Sequence, residues 1–194
     1  LQGNLDPIVL FAGAAEVRVI FAGGRTYPVA GILGENRGSD LIKLAVEIPA
    51  DETRGLSVAD RAPAIADRVV VVGSPMGLEQ TVSEGIVSAI REVPGVGRIF
   101  QLSAPISQGS SGSPVVDGQG RVIGVISFQL QTGQNLNFAV GAERLLALET
   151  RRDPLPVAEW ALARTGRQGD KTRKLCEQGF TFSIRGEYKE ALTY

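Results

Sequence analysis

Between Glu16 and Val140 the chain is a succession of short β-branched runs in which apolar residues recur at every second position, broken at intervals by glycine. Successive residues of an extended strand face opposite sides, whereas a helix repeats about every 3.6 residues, so this periodicity predicts an all-β barrel or sandwich. Strands are expected over residues 16–22, 26–33, 41–46, 68–72, 81–90, 98–102, 113–116, 122–128 and 135–140. Gly23-Gly24, Pro94-Gly95 and Gly118-Gln119-Gly120 offer the positive φ that tight hairpins need. Polar and apolar residues alternate in Glu16-Val17-Arg18-Val19, as on a half-exposed strand. Val69-Val70-Val71-Val72 is apolar on both faces, as in a buried one.

The period changes after Gly141. Residues 142–148 carry apolar side chains at helical spacing and predict a closing helix, and residues 151–156, with two prolines and three charges, have the composition of a linker. Between Arg151 and Lys174 seven basic residues stand against three acidic ones, a balance read as a solvated helix surface rather than a binding patch. From Leu175 onward the chain resembles the first two-thirds of a tetratricopeptide repeat. Gly179, Gly186, Tyr188, Ala191 and Leu192 fit its spacing, with Leu175 in place of the usual tryptophan. The other reading of this stretch is an ordinary amphipathic helical hairpin. With 194 residues and 43% hydrophobic content, the chain accommodates one domain and a small appendage. The division expected is a β domain over 1–150, a linker over 151–166 and a partial repeat over 167–194. One repeat cannot bury its own face, so further repeats are expected to follow, binding a peptide or protein partner in their groove.

Composition removes several classes of function. Twenty Lys and Arg against 21 Asp and Glu leave no field to recruit nucleic acid or an anionic membrane. Cys176 is the only cysteine and there is no histidine, so a transition-metal site has almost no ligands and no intrachain disulfide can form. No metal or organic cofactor is expected. No apolar run approaches the roughly 20 residues of a membrane span. The first residues, Leu1 to Pro7, have neither an initiating methionine nor the pattern of a signal peptide, and the N-terminus is read as cut or misassembled.

The chemistry concentrates in Gly109-Ser110-Ser111-Gly112-Ser113-Pro114. Small residues on each side of Ser111 leave its hydroxyl uncovered, and Gly109 allows the backbone to turn its N–H inward. Together with the Ser111 N–H, it would form an oxyanion hole for a tetrahedral intermediate. Taken alone, the segment reads equally well as a Ser/Gly-rich surface loop. A serine nucleophile of this kind requires a histidine as general base, and the chain has none. Two other motif readings fail. Gly118 to Gly124 has one residue too many for a dinucleotide-binding turn and precedes a strand, and Ser113 occupies the final glycine position of a hydrolase nucleophile elbow.

Over roughly residues 9–148 the chain resembles the bacterial branch of the chymotrypsin-fold, trypsin-like serine proteases that includes the high-temperature-requirement (HtrA/Deg) enzymes. The Gly109–Pro114 segment fits their Gly-x-Ser-Gly-x-Pro pattern, with Ser113 where a second glycine usually stands. Val69-Val-Val-Val-Gly-Ser-Pro-Met-Gly77 is similar to the strand and turn opening the second barrel, Thr81 to Ser88 to the next hairpin, and Asn135 to Val140 to a strand walling the substrate cleft. Ser39-Asp40-Leu41-Ile42-Lys43-Leu44 is similar to the segment bearing the acid that orients the catalytic histidine, which implies that role for Asp40. The fold implied is mainly β: a chymotrypsin-like double β-barrel with its first barrel incomplete, followed by the α-helical, tetratricopeptide-like segment.

In the family the histidine lies in a Thr-x-x-His-Val-x-x-Gly-Ala segment. Here Gly13-Ala14 fits its end and Val9 stands at the histidine position. Three of the first barrel's six strands are expected in the sequence, and truncation or a frame error near residue 10 accounts for both absences at once. Lys43, the only lysine before Lys171, falls on the strand face opposite Asp40 and is not expected to replace the histidine. The resemblance places Pro105 at the base of the pocket for the substrate residue before the scissile bond (P1), with Leu136 and Phe138 lining it, and implies cleavage after small or medium aliphatic residues. The function implied is a serine endopeptidase acting on peptide or protein substrates in an extracytoplasmic bacterial setting, with this chain itself inactive for want of histidine. The alternative is a non-catalytic, protease-like scaffold that binds peptides. No PDZ-like segment follows the barrel, so the trimeric assembly of the family is not implied.

Overall fold

A computed structural model of the chain describes residues 9–12, 17–21, 24–52, 54–73, 81–107, 109–129 and 137–165. The first four strands, β1 (Val9–Ala12), β2 (Val17–Ile20), β3 (Thr26–Asn36) and β4 (Leu41–Val46), form an antiparallel sheet in chain order. A short 3-10 turn at Ala50–Glu52 follows. Six further strands, β5 (Arg68–Gly73), β6 (Thr81–Val93), β7 (Gly97–Leu102), β8 (Pro114–Val116), β9 (Val122–Gln129) and β10 (Asn137–Gly141), close into a barrel in the order β10-β7-β6-β5-β8-β9. Two helices end the described chain, α1 (Glu143–Leu146) and α2 (Val157–Thr165). Neither is long and apolar enough to cross a membrane.

Closure explains why the barrel strands are so apolar. Every strand is paired on both sides, so one face of each points into a shared interior. Val69 and Val71 of β5, Phe100 and Leu102 of β7, Val115 of β8, Ile123 and Ile126 of β9 and Ala139 of β10 fill that interior. Val70, on the other face of β5, packs outside the barrel with Val116, Val122 and Ala142. The first sheet docks onto the barrel through Leu41, which meets Val140 and Leu148. A polar tie reinforces this contact: the buried Ser39 hydroxyl donates to the Val96 carbonyl at 3.0 Å and lies 3.2 Å from Asn36 Oδ1.

After α1 the chain returns to the first sheet. Ile32 and Leu155 exchange backbone hydrogen bonds at 2.8 and 2.9 Å, and the Arg151 N–H reaches the Leu33 carbonyl at 2.7 Å. Trp160 of α2 donates its indole N–H to Glu35 at 2.7 Å. The stretch expected as a linker at 151–166 therefore carries a helix and a bridge to β3. The partial repeat expected at 167–194 lies outside the described residues.

Two sequence expectations are corrected. The first sheet has four strands rather than three: β1 pairs with β2 in the register Val9↔Ile20, and its short Val-Leu-Phe-Ala run lacks the alternation that marks the others. The closing helix is a single turn, because Ala142 gives no side-chain cap and Leu148 is drawn into the contact with Leu41. Of the strand expected over 135–140, residues 137–140 lie in β10, which runs to Gly141, and residues 135 and 136 lie outside the described residues.

Candidate active site

The loop from Ser103 to Ser113 joins β7 to β8 and is shaped by its own serines. The Ser110 N–H donates to the Ser107 carbonyl at 3.0 Å, and the Ser110 hydroxyl accepts from the Ser107 N–H at 3.3 Å. The Ser113 N–H reaches the Ser110 carbonyl at 3.1 Å. The Gly112 N–H and the Ser113 carbonyl then bond Ile126 of β9 at 2.7 and 2.9 Å. Ser110 and Ser113 are buried, 5% and 8% exposed, while Ser111 between them faces solvent. Gly109 has φ 94°, in the left-handed region that side chains with a Cβ rarely adopt. Among the described residues the N–H groups of Gly109 and Ser111 have no acceptor, although the other amides of this turn are engaged. The Ser111 hydroxyl donates to the Ser127 carbonyl on β9 at 3.1 Å.

Beside this loop a cleft of about 450 Å³ opens between the strand ends, lined by Gly73, Thr81, Ser83, Pro105, Ile106 and Ser110 among others. Pro105 is exposed at its wall. Phe138 is fully buried on β10, which pairs with β7 and β9, and Leu136 lies outside the described residues. Asp40 sits on the turn between β3 and β4 with φ 52°, a conformation that aspartate tolerates better than most residues. It is exposed, its N–H bonds the Arg37 carbonyl at 3.4 Å, and its carboxylate has no hydrogen-bond partner among the described residues. Ser111, Gly109 and Pro105 thus share one loop, whereas no hydrogen bond joins Asp40 to Ser111. Lys43 is occupied elsewhere, donating to the Thr150 hydroxyl at 2.8 Å.

Two contributors were not singled out by the sequence. The Ser127 carbonyl is a backbone acceptor, for which no residue type is a signal. Asn137 is a buried amide whose Nδ2 donates to the Ala104 carbonyl at 2.7 Å. Its signal was a polar residue on the same strand face as Ala139, in an otherwise apolar run.

A family model described as a trypsin-like peptidase domain matches residues 5–125. The chloroplastic Protease Do-like 1 of Arabidopsis thaliana is 30% identical over 121 residues, covering 58% of this chain and 27% of that protein. The periplasmic serine endoprotease DegP of Salmonella typhimurium is 32% identical over 117 residues, covering 58% of this chain and 24% of its own length. The chain therefore spans about a quarter of the length of these curated relatives. Among solved structures, the HtrA-type protease AlgW with a decapeptide superposes with a TM-score of 0.60 at 28% identity, over 70% of this chain and 43% of that one.

Proposed function

The chain belongs to the trypsin-like peptidase domain family, and on that premise we propose that the protein carrying it is a serine endopeptidase of the high-temperature-requirement type. The observation that carries this reading is the uncovered Ser111 hydroxyl beside two amides, of Gly109 and Ser111, that the loop leaves unengaged. In the proposed reaction Ser111 Oγ bonds to the peptide carbonyl carbon, and the two amides donate to the oxyanion that forms. A histidine takes the Ser111 proton and returns it to the leaving amine as the C–N bond breaks, and Asp40 orients that histidine. Water then hydrolyses the acyl-enzyme by the same proton route.

The mechanism needs a histidine, and these 194 residues contain none. By themselves they are proposed to be inactive. In this reading Pro105 and Leu136 line the P1 pocket, Phe138 being fully buried, and the want of a carboxylate among them favours small or medium aliphatic side chains. Residues 167–194 add a protein-binding, tetratricopeptide-like element. An extracytoplasmic setting is the favoured location, in line with the periplasmic DegP relative.

A peptide-binding scaffold without catalysis is the second reading. It is favoured by the Ser111 hydroxyl's bond to the Ser127 carbonyl, which engages its proton in this structure. Cleavage of an unfolded protein substrate by the natural full-length protein separates the two. The peptidase reading predicts turnover that Ser111→Ala abolishes and that Asp40→Asn lowers by roughly 10⁴-fold. Binding of the substrate without turnover would favour the scaffold.

A further inference from the structure

Asn137 opens β10 and is 1% exposed. Alternation along the strand sets it on the face of Ala139, which packs inside the barrel with Phe100, Leu102 and Ala104. A carbonyl oxygen only accepts, so the bond to Ala104 requires the Asn137 nitrogen to face it and leaves Oδ1 directed elsewhere. That Oδ1 is buried and has no hydrogen-bond partner among the described residues. An unpaired buried acceptor opposes folding, and a leucine of similar shape would remove that cost only by leaving the buried Ala104 carbonyl without its donor. The two costs are of similar size, so stability gives little reason to prefer the amide to a leucine here. What the amide does is hold the carbonyl of Ala104, whose backbone also lies against Gly85 and which leads directly into Pro105 at the cleft wall.

We propose that Asn137 is a positioning residue that fixes the floor of the P1 pocket through the Ala104 carbonyl and thereby sets the size of side chain the pocket accepts. The inference rests on the peptidase reading and on Pro105 as the pocket's base. Asn137 does not touch the substrate. Freed from its tie, the Ala104–Pro105 segment recedes and the pocket deepens.

The test is a series of peptides differing only at P1, as Ala, Val, Leu or Phe, cleaved by the natural full-length protein and by its Asn137→Leu variant, with thermal unfolding recorded in parallel. The expected result is a little-changed Tm together with a rise of about tenfold in the kcat/KM ratio for Leu over Ala, the scale on which pockets distinguish a few methylenes. Asn137→Ser, too short to hold the Ala104 carbonyl, shows the same shift and serves if the leucine variant does not fold. An unchanged P1 ratio in a folded variant overturns the inference while leaving the peptidase reading intact. Failure of both variants to fold also overturns it, because the residue then acts on stability alone. A wild-type protein that cleaves none of the series overturns both.

Discussion

Ser111 stands out into solvent because its neighbours are tied down: Ser110 and Ser113 bond within the loop and Gly112 bonds to β9. The backbone at Gly109 completes the shape, and its φ of 94° is where a Cβ is strained by roughly 1–2 kcal/mol. Gly109→Ala is expected to relieve that strain by turning the amide away. In the proposed peptidase it lowers kcat by about 10²–10³-fold with little change in KM, as steady-state kinetics on a peptide substrate would show. A second residue-scale effect concerns pH. Partial burial would raise the Asp117 pKa. Hydrogen bonds from the Arg121 backbone and side chain and from the Gln119 amide, with the Arg121 charge, outweigh that and hold it below the ordinary carboxylate value. A depressed pKa contributes stability that is present above the unfolded value of about 3.9 and lost as pH falls through the lower folded value. Asp117→Ala should therefore cost about 1–3 kcal/mol at pH 7. In urea unfolding the gap from wild type should shrink as pH drops below about 4. A gap that persisted undiminished at low pH would show that the carboxylate's charge is not what matters.

At the scale of elements, the barrel strands were legible because closure demands apolar inner faces, and Val69 to Val72 announces a strand paired on both sides. Where no such pattern is imposed, sequence reading fell short. β1 is held by pairing with β2 and not by alternation of its own residues. The return of residues 149–155 across β3 is a pairing of backbones far apart in the chain, which leaves no local periodicity to read. Its traces are Gly31 and Gly34, where any Cβ would collide with the Leu155 and Glu149 carbonyls. Gly34→Ala is expected to push this strap off β3 at a cost of about 1–3 kcal/mol. Trp160, the only tryptophan, would lose its bond to Glu35 and report the change as a red-shifted emission. An unshifted spectrum with unchanged stability would mean that the strap does not depend on this close approach.

Across the whole molecule, a closed barrel supplies the Ser111 loop, the cleft and the buried Phe138, while an open four-stranded sheet presents Asp40 on a turn latched to the barrel at Val96. The glycines and serines of the Ser111 loop alone fit a surface loop equally well, and the motifs around it were needed to read it as a candidate nucleophile loop. The role proposed for Asp40 came from the resemblance, and it depends on how two sheets meet and on a histidine that the 194 residues do not contain. The central claim is that Ser111 is a nucleophile in a protein that provides it with a base. Treating the natural full-length protein with a fluorophosphonate probe and mapping the adduct by mass spectrometry tests this most directly. A single adduct on Ser111, absent from the Ser111→Ala variant, is the predicted result; a folded protein that stays unlabelled, or one labelled at another serine, would contradict it.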